Sequence, residues 1–285
     1  MIKKIFIGLF LTVLLFNSYV YSKERGKLVI IGGAQVTSIM KKFVELAGGP
    51  KAKIIIIPNA GSDPIENSLI QVEEFKELGT YSDYLIFTRE TADADSNLKK
   101  VDEATAVFFL GGDQSDLTRD MLGTKLLAKV FDLYNNGGVV GGTSAGAAVM
   151  SEVMITGNEL INKDSTKSFV TIERGNVETK QGFGFLKNVI IDQHFLKRKR
   201  HNRTISSLIE HPDLIGVAID ESTSIIVYPD DTFEVVGSNQ VLVYDPTDSC
   251  NIREDKNGNT GITGMKLHVL IDGDRFDLKT KRVIE

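Results

Sequence analysis

Several residue types that mark particular classes of protein are scarce in this chain. There is one cysteine, Cys250, among 285 residues, which excludes an internal disulfide framework and any metal site built from several cysteines. Basic residues do not outnumber acidic ones, and the net charge of −5 argues against a protein that binds nucleic acid. The remaining composition, 42% hydrophobic and 25% charged, is that of a globular protein and excludes intrinsic disorder, collagen and coiled coil.

The N-terminus has the pattern of a secretory signal peptide rather than of a membrane span. Lys3 and Lys4 precede an uncharged run of 12 residues, 5–16, which is shorter than the ~20 residues that a spanning helix needs. Val20 and Ser22 then occupy the −3 and −1 positions before a cleavage point. We expect residues 1–22 to be removed on export to the periplasm or the medium, leaving a net charge of −7 and no stable membrane association. An uncleaved anchor or a buried strand is the alternative.

Short β-branched runs alternate with amphipathic stretches in the first half of the chain, a pattern typical of a parallel sheet covered by helices. This α/β part has predicted strands at 27–33, 53–58, 84–87, 106–110 and 139–143, and predicted helices at 38–47, 66–78 and 124–135. The later part has predicted strands at 189–192 and 215–220, a basic helix at 195–210, and C-terminal β-hairpins that begin with 224–227 and 232–236. No repeat or linker interrupts the pattern, so we expect one domain over residues 23–285.

The segment with the clearest chemical pattern lies between a predicted buried strand and the helix after it. It contains Gly-x-Ser-x-Gly, with Ser144 between Gly142 and Gly146. A serine in this position sits on a sharp turn at the carboxyl edge of the sheet, and the glycines avoid collisions that a Cβ would cause. The amino end of the helix offers backbone N–H groups to an oxyanion. We expect Ser144 to be a nucleophile; a packing turn with an inert serine is the alternative.

A serine nucleophile needs a base, and the chain has four histidines. His194 follows the strand at 189–192, at a carboxyl end where α/β sites assemble, and is the preferred candidate. The acid that orients it is predicted to be Glu221, with Asp220 and Asp192 as rivals. Strand alternation places Asp220 and Glu221 on opposite faces, so one of the two can point into the site. The order serine, histidine, acid differs from that of ordinary α/β-hydrolases and indicates another scaffold.

Three motifs of this chain, and their order along it, resemble those of the cyanophycinases in the S51 serine peptidase family. They are the segment around Ser144, the run Gly111-Gly112-Asp113-Gln114, and the run from Asp192 through Arg200 with Arg203. The resemblance extends from Gly32 to about Tyr244. It implies a flavodoxin-like parallel sheet with helices on both faces, similar to the class I glutamine amidotransferases and peptidase E.

The resemblance also implies roles for individual residues and a substrate. The family's Ser–His–Glu triad corresponds to Ser144, His194 and Glu221. Its substrate-binding residues correspond to Gln114, Asp192, Gln193, Arg198, Arg200 and Arg203. The family's substrate is cyanophycin, a poly-aspartate backbone with arginine on each side-chain carboxyl, which members cleave to β-Asp-Arg dipeptides. No metal or other cofactor is implied, and a homodimer is expected.

The residue types agree with an acidic substrate and an acyl-serine mechanism. Arg200 and Arg203 are three apart and can share a helical face, and arginine forks suit carboxylates. The N–H of Ala145, together with one from Gly112 or Asp113, is expected to stabilise the oxyanion.

Two other functions stay open at this point. One is an aspartyl dipeptidase similar to peptidase E that acts on short Asp-X peptides. The other is a non-catalytic protein that captures acidic peptides through residues 198–203. A glutamine amidotransferase is disfavoured because that group has a cysteine where this chain has Ser144, and Cys250 lies far downstream.

Overall fold

The computed structural model describes residues 24–161, 168–247, 251–256 and 259–285. The predicted signal peptide and Cys250 lie outside these residues. Within the described ranges, no helix combines the length and apolar character that crossing a membrane requires.

Seven α-helices, one short 3₁₀ helix (Gly49–Lys51) and seventeen strands are described. The helices are α1 (Thr37–Leu46), α2 (Pro64–Glu77), α3 (Asp95–Asp102), α4 (Gln114–Met121), α5 (Lys125–Asn135), α6 (Ala145–Ala148) and α7 (His201–Glu210). The first nine strands are β1 (Lys27–Ile31), β2 (Lys53–Ile57), β3 (Tyr81–Tyr84), β4 (Ala106–Phe109), β5 (Val139–Thr143), β6 (Val153–Glu159), β7 (Val177–Gln181), β8 (Val189–Asp192) and β9 (Ile215–Ile219). The others are β10 (Thr223–Val227), β11 (Thr232–Gly237), β12 (Val241–Asp245), β13 (Asn251–Glu254), β14 (Thr260–Thr263), β15 (Lys266–Leu270), β16 (Arg275–Asp277) and β17 (Arg282–Ile284).

A nine-stranded sheet with the order β17-β16-β11-β10-β1-β5-β4-β2-β3 forms the centre of the molecule. The five strands from β1 to β3 in this order are parallel, and the other four are antiparallel to their neighbours. Strand β2 is almost wholly apolar because both faces of the parallel part are covered. Parallel strands place their carboxyl ends at one edge, so the turns after β1, β2, β4 and β5 lie together.

Helices cover both faces of this sheet, as the sequence predicts. On one face α1 and α2 pack against it through a group of aromatic rings, in which Phe43 lies 5.6 Å from Phe75 and 5.1 Å from Phe108. On the other face α5 and α6 pack with residues such as Val130 and Ala147 into the largest apolar cluster. The sheet is therefore the middle layer of an α/β architecture.

A second sheet, ordered β15-β12-β9-β8, shares the cluster that contains α5 and α6. The predicted hairpin of β10 and β11 is confirmed, and β13 pairs with β14 in another C-terminal hairpin. Strand β9 leads through residues 220–222 directly into β10, which lies beside β1 in the large sheet. Consequently, the carboxyl ends of β8 and β9 meet the carboxyl end of β1: the amide of His194 donates to Gly32 O at 2.7 Å.

The structure corrects two predicted elements. The third strand is Tyr81–Tyr84, not 84–87; it is an edge strand with polar residues, and the apolar residues Leu85 and Phe87 are buried after it ends. The basic helix begins at His201, not at residue 195, because residues 195–200 form turns and Lys199 has a φ of 54°. Helices α3 and α4 and the β6–β7 hairpin were not predicted.

Candidate active site

The Ser144 turn, residues 142–146, joins β5 to α6 at the carboxyl edge of the large sheet. Ser144 has φ 54° and ψ −110°, a backbone conformation that side-chain-bearing residues rarely adopt. A Cβ on Gly142 would lie 2.3 Å from Gly146 O, and a Cβ on Gly146 would lie 2.3 Å from Phe109 O. The two glycines therefore allow the close backbone packing that raises Ser144 above the sheet edge.

Three side chains from distant parts of the chain meet above this turn. The hydroxyl of Ser144 lies 2.9 Å from Nε2 of His194, and Nδ1 of His194 lies 2.7 Å from Oε1 of Glu221. A carboxylate only accepts hydrogen bonds, so Nδ1 carries the proton and Nε2 is free to accept one from the serine. This is the geometry of a nucleophile, a base and an orienting acid.

The structure distinguishes between the acids that the sequence left open. Glu221 contacts the imidazole, whereas Asp220 points away and accepts a hydrogen bond from the backbone N–H of Lys197 at 3.0 Å. The two carboxylates thus lie on opposite sides of the chain, as strand alternation predicts. The Asp220 contact fixes the turn that follows His194.

The surroundings of the imidazole keep it neutral and keep Glu221 ionised. Burial lowers the pKa of His194 below its ordinary value of 6.5; the hydrogen bond to Glu221 opposes this in part, and the charges of Arg198 and Arg200 add to the lowering. The hydrogen bond from His194 in turn lowers the pKa of Glu221 below 4.5. At neutral pH the imidazole is therefore ready to accept a proton.

The His194 turn, residues 193–200, is held by long-range contacts. His194 has a positive φ of 48°, and its ring packs against Gly33, where a Cβ would lie 2.2 Å from Cε1. Below the turn, Asp192 is 1% exposed and pairs with Arg203, while Thr204 donates to its Oδ2 at 2.7 Å. Burial raises the pKa of Asp192, but the charge and hydrogen bonds of Arg203, followed by Arg200 and Thr204, outweigh this, so the pKa lies below 3.8.

A cleft of about 320 Å³, here called the basic cleft, opens beside Ser144. Its wall carries four cationic side chains, Arg198, Lys199, Arg200 and Arg203. Among the described residues, two carboxylates act on these cations: that of Asp192, which forms the ion pair with Arg203, and that of Glu221, which is hydrogen-bonded to His194. Burial, followed by the charge of Arg203, lowers the pKa of Arg200 to about 9. The cleft therefore has an excess of positive charge that favours an anionic ligand.

Two glutamines line this cleft, and hydrogen bonds within the protein fix which atom of each side-chain amide faces a ligand. The amide nitrogen of Gln114 donates to the carbonyls of Ile155 and Thr156, at 2.8 and 2.7 Å. Its oxygen accepts no hydrogen bond from the described residues and can accept one from a ligand. The side-chain oxygen of Gln193 accepts from Arg200 at 2.6 Å, so its amide nitrogen is left as a donor. The basic cleft thus offers an acceptor and a donor besides its cations.

Two of the residues expected at the site are placed differently. The amide of Asp113 donates to Ala60 O at 2.8 Å and its carboxylate caps α4 by accepting from Ser115, so Asp113 cannot supply an oxyanion donor. In the described part of the chain, the amides of Gly112 and Ala145 have no such acceptor. Asp192 does not line the cleft as the substrate contact expected from the sequence; its buried carboxylate holds Arg203 instead.

The sequence reasoning missed the part of the wall that comes from β6 and from the chain before β7. Thr156 and Gly157 line the basic cleft, and Phe169 lies 5.7 Å from the guanidinium of Arg203. No motif in the sequence marks these residues, because the cleft forms only when the β6–β7 hairpin packs against α4 and α7. Over the ranges that the structure covers, no group of three or more His, Cys, Asp or Glu side chains is arranged to hold a metal ion.

Comparisons with known proteins agree with this geometry. The family described as Peptidase family S51 matches residues 28–236. A cyanophycinase of Synechococcus elongatus is 33% identical over 277 residues, covering 94% of this chain and 84% of that protein. The crystal structure of a peptidase from an acI-B1 Actinobacterium has a TM-score of 0.66 at 23% identity, covering 91% of this chain and 99% of that one. A putative peptidase E from Listeria monocytogenes has a TM-score of 0.51 at 14% identity, covering 75% and 100%.

Proposed function

Because the chain belongs to peptidase family S51 and is a serine peptidase, we propose that it hydrolyses the poly-aspartate backbone of cyanophycin and releases β-Asp-Arg dipeptides. The observation that carries this proposal is the combination of a Ser–His–Glu arrangement with four cations in the adjoining cleft. The relatives at 33% identity over most of the chain support the same substrate.

In the proposed reaction Ser144 Oγ attacks the scissile carbonyl while Nε2 of His194 takes the hydroxyl proton. Glu221 holds the imidazole and stabilises it when it becomes a cation. The backbone N–H groups of Gly112 and Ala145 donate hydrogen bonds to the carbonyl oxygen as it becomes negatively charged. One such donor stabilises the transition state by about 3–4 kcal/mol. The imidazolium then protonates the leaving amine, the C–N bond breaks, and water hydrolyses the acyl-serine with His194 again as base.

The basic cleft accounts for the choice of substrate. Arg198 and Arg200 bind free carboxylates of an aspartate–arginine unit, because paired N–H donors match a carboxylate. The partial burial of Arg200 strengthens its interaction further. The free oxygen of Gln114 accepts from an N–H of the same unit, and the free nitrogen of Gln193 donates to one of its carbonyls. Arg203 is held by Asp192 and contributes a fixed positive charge at the floor of the cleft.

Product analysis after incubation with purified cyanophycin tests this proposal. We expect soluble dipeptides of aspartate and arginine from the wild-type protein, and a loss of at least ~10⁴-fold in rate for Ser144→Ala. Ser238→Ala is the matched control, since Ser238 is exposed and away from the cleft. Wild-type protein that releases no aspartate–arginine dipeptide contradicts the proposed substrate.

A second candidate is an aspartyl dipeptidase similar to peptidase E. The Ser–His–Glu arrangement and the basic cleft serve this candidate as well, because an Asp-X dipeptide also carries free carboxylates next to the bond that is cleaved. Cleavage of Asp-X dipeptides with no release from cyanophycin supports this candidate, and the reverse result excludes it.

Export and assembly are further parts of the proposal. Removal of residues 1–22 is supported by the lysines and the short uncharged run at the N-terminus. The intact mass of exported protein tests it, since retention of Met1 contradicts cleavage. We propose a homodimer by analogy with the family, and light scattering after size-exclusion chromatography measures its mass directly.

A further inference from the structure

A second cleft, of about 280 Å³, adjoins the Ser144 turn. Gly111 and Thr143 line it, whereas the residues that follow each of them, Gly112 and Ser144, line the basic cleft. A Cβ on Gly111 would lie 3.7 Å from Ser144 Oγ, which places this wall against the nucleophile. We call it the α2 cleft, because Gln71 and Glu74 of α2 form its other wall. A peptide attacked by Ser144 has both clefts within reach.

A chain of hydrogen bonds fixes which atoms the α2 cleft presents. The carboxylate of Glu74 accepts from Nε2 of Gln71 at 2.9 Å, so Oε1 of Gln71 must face the other way. That oxygen accepts from Nε2 of Gln35 at 2.7 Å. The orientation of Gln35 follows, and its Oε1 is buried with no hydrogen-bond partner among the described residues. That oxygen has almost no solvent-accessible surface, so it is not among the atoms that the cleft presents to a ligand.

The charge of the α2 cleft is opposite to that of the basic cleft. Glu74 is the one charged residue among those described along its wall, and Glu74 is exposed to solvent. Ile70, which is 55% exposed, adds an apolar wall. An apolar wall that ends at a carboxylate matches a long aliphatic side chain with a cationic end.

We propose that the α2 cleft binds the leaving-group half of the substrate, with Glu74 pairing with a guanidinium or ammonium group. This inference rests on the proposed peptidase function and adds a residue preference after the scissile bond. Gln35 lies two residues beyond Gly33, which packs against the imidazole that delivers a proton to the leaving amine. The basic cleft binds the carboxylate of the acyl half. The two clefts therefore bind groups of opposite charge on the two sides of the scissile bond.

Peptides that differ only after the scissile bond test this subsite. The acyl half is one β-linked aspartate–arginine unit, and the leaving residue carries either arginine or the neutral, nearly isosteric citrulline. We expect wild-type kcat/KM to be about 2- to 5-fold higher for arginine, the range of an exposed ion pair. Glu74→Gln removes this preference by lowering the arginine rate, with the citrulline rate unchanged within twofold. Glu73→Gln, on the same helix and outside the cleft, keeps the preference.

Aminolysis of the acyl-enzyme provides a second readout that is confined to the leaving side. Arginine amide and citrulline amide, added in excess, compete with water for the same acyl-serine. We expect arginine amide to capture more of it in the wild type, and equal capture by the two amides in Glu74→Gln.

The outcomes separate this inference from the proposed function. Cleavage of the peptides with an arginine preference that survives in Glu74→Gln overturns the subsite alone. A preference that instead follows the charge of the acyl half places the α2 cleft on the other side of the bond and also overturns it. Wild-type protein that cleaves none of the peptides contradicts the proposed function, and the subsite with it.

Discussion

The Ser144 turn and the His194 turn each position a side chain of the active site, but different interactions hold them in place. Each places a side chain on a residue with positive φ, 54° at Ser144 and 48° at His194. The first turn is fixed by glycines that let neighbouring backbone segments touch. The second is fixed by polar contacts from elsewhere, chiefly the buried pair of Asp192 and Arg203. The nucleophile is thus positioned by local backbone packing, and the base by a long-range network.

Among changes to the residues that support the nucleophile and the base, removal of the charge that orients the base has the largest expected effect. Glu221→Gln keeps the shape of the side chain but replaces the carboxylate by a neutral amide. Because an amide can either donate to Nδ1 or accept from it, the imidazole is no longer held in one tautomer. We expect kcat to fall on the order of 10²–10⁴-fold. Asp220→Asn is the matched control, because an asparagine oxygen still accepts from Lys197, and it loses less than about tenfold. Steady-state kinetics on cyanophycin peptides measure both; equal losses contradict the assignment of Glu221.

The network under the His194 turn predicts a loss of stability. Asp192→Asn leaves the charge of Arg203 buried without a counter-ion, and we expect unfolding in urea at pH 7 to be easier by about 3–5 kcal/mol. Asp213→Asn, at an exposed position, changes the free energy of unfolding by less than about 0.5 kcal/mol.

The pH dependence of this difference provides a check on its origin. The folded-state pKa of Asp192 lies below 3.8, so its ionised form stabilises the fold above that pH and the contribution is lost as pH falls through the folded value. The difference in the free energy of unfolding between wild type and Asp192→Asn should therefore persist down to about pH 4. A gap that closes near pH 6 contradicts this origin.

The packing of the Ser144 turn predicts a smaller loss. Gly146→Ala places a methyl group 2.3 Å from a backbone carbonyl, and we expect a cost of about 1–3 kcal/mol together with displacement of the serine. Gly261→Ala is the control, since its Cβ meets only side-chain atoms at 3.6 Å or more. Thermal unfolding and activity are measured for both variants. Wild-type values of both in Gly146→Ala would contradict the claim that close backbone packing at Gly146 fixes the Ser144 turn.

The smallest effect concerns the cations near the base. Arg200 lowers the pKa of His194, so Arg200→Gln should raise it and move the acid limb of kcat/KM to higher pH by roughly 0.3–1 unit. The wild-type limb lies below 6.5, because the imidazole must be neutral to act as base. Lys187→Gln, an exposed change outside the cleft, leaves the limb in place. An unmoved limb in Arg200→Gln shows that its charge does not reach the imidazole.

The contrast between the two turns also explains what the sequence can predict. Gly142, Ser144 and Gly146 lie within five residues, and the collisions that the two glycines avoid are with backbone close to the same turn. The strand–turn–helix around the serine therefore follows from the pattern alone. The basic segment after His194 has helical spacing, yet residues 195–200 turn because Lys197 and Phe195 bond to the end of β9. No local pattern contains those partners, and the same is true of the pairing of Asp192 with Arg203.

The edges of the fold show the same limit. Leu85 and Phe87 have the character of a buried strand, but the strand that pairs with β2 begins three residues earlier than predicted, where the residues are polar. The α2 cleft has no motif at all; it joins a loop after β1 to one face of a helix. Site residues at strand ends are predictable because parallel strands share an edge, whereas walls built by packing are not.

Labelling with a fluorophosphonate tests the central claim that Ser144 and His194 form an activated pair. The reagent forms a covalent phosphonyl ester on a serine whose hydroxyl is activated by a neighbouring base, with loss of fluoride. Peptide mapping by mass spectrometry should find one adduct, on Ser144, in the wild type. The adduct should be lost in His194→Ala and kept in His211→Ala. No adduct, or an adduct on another serine with Ser144 unmodified, would contradict the account.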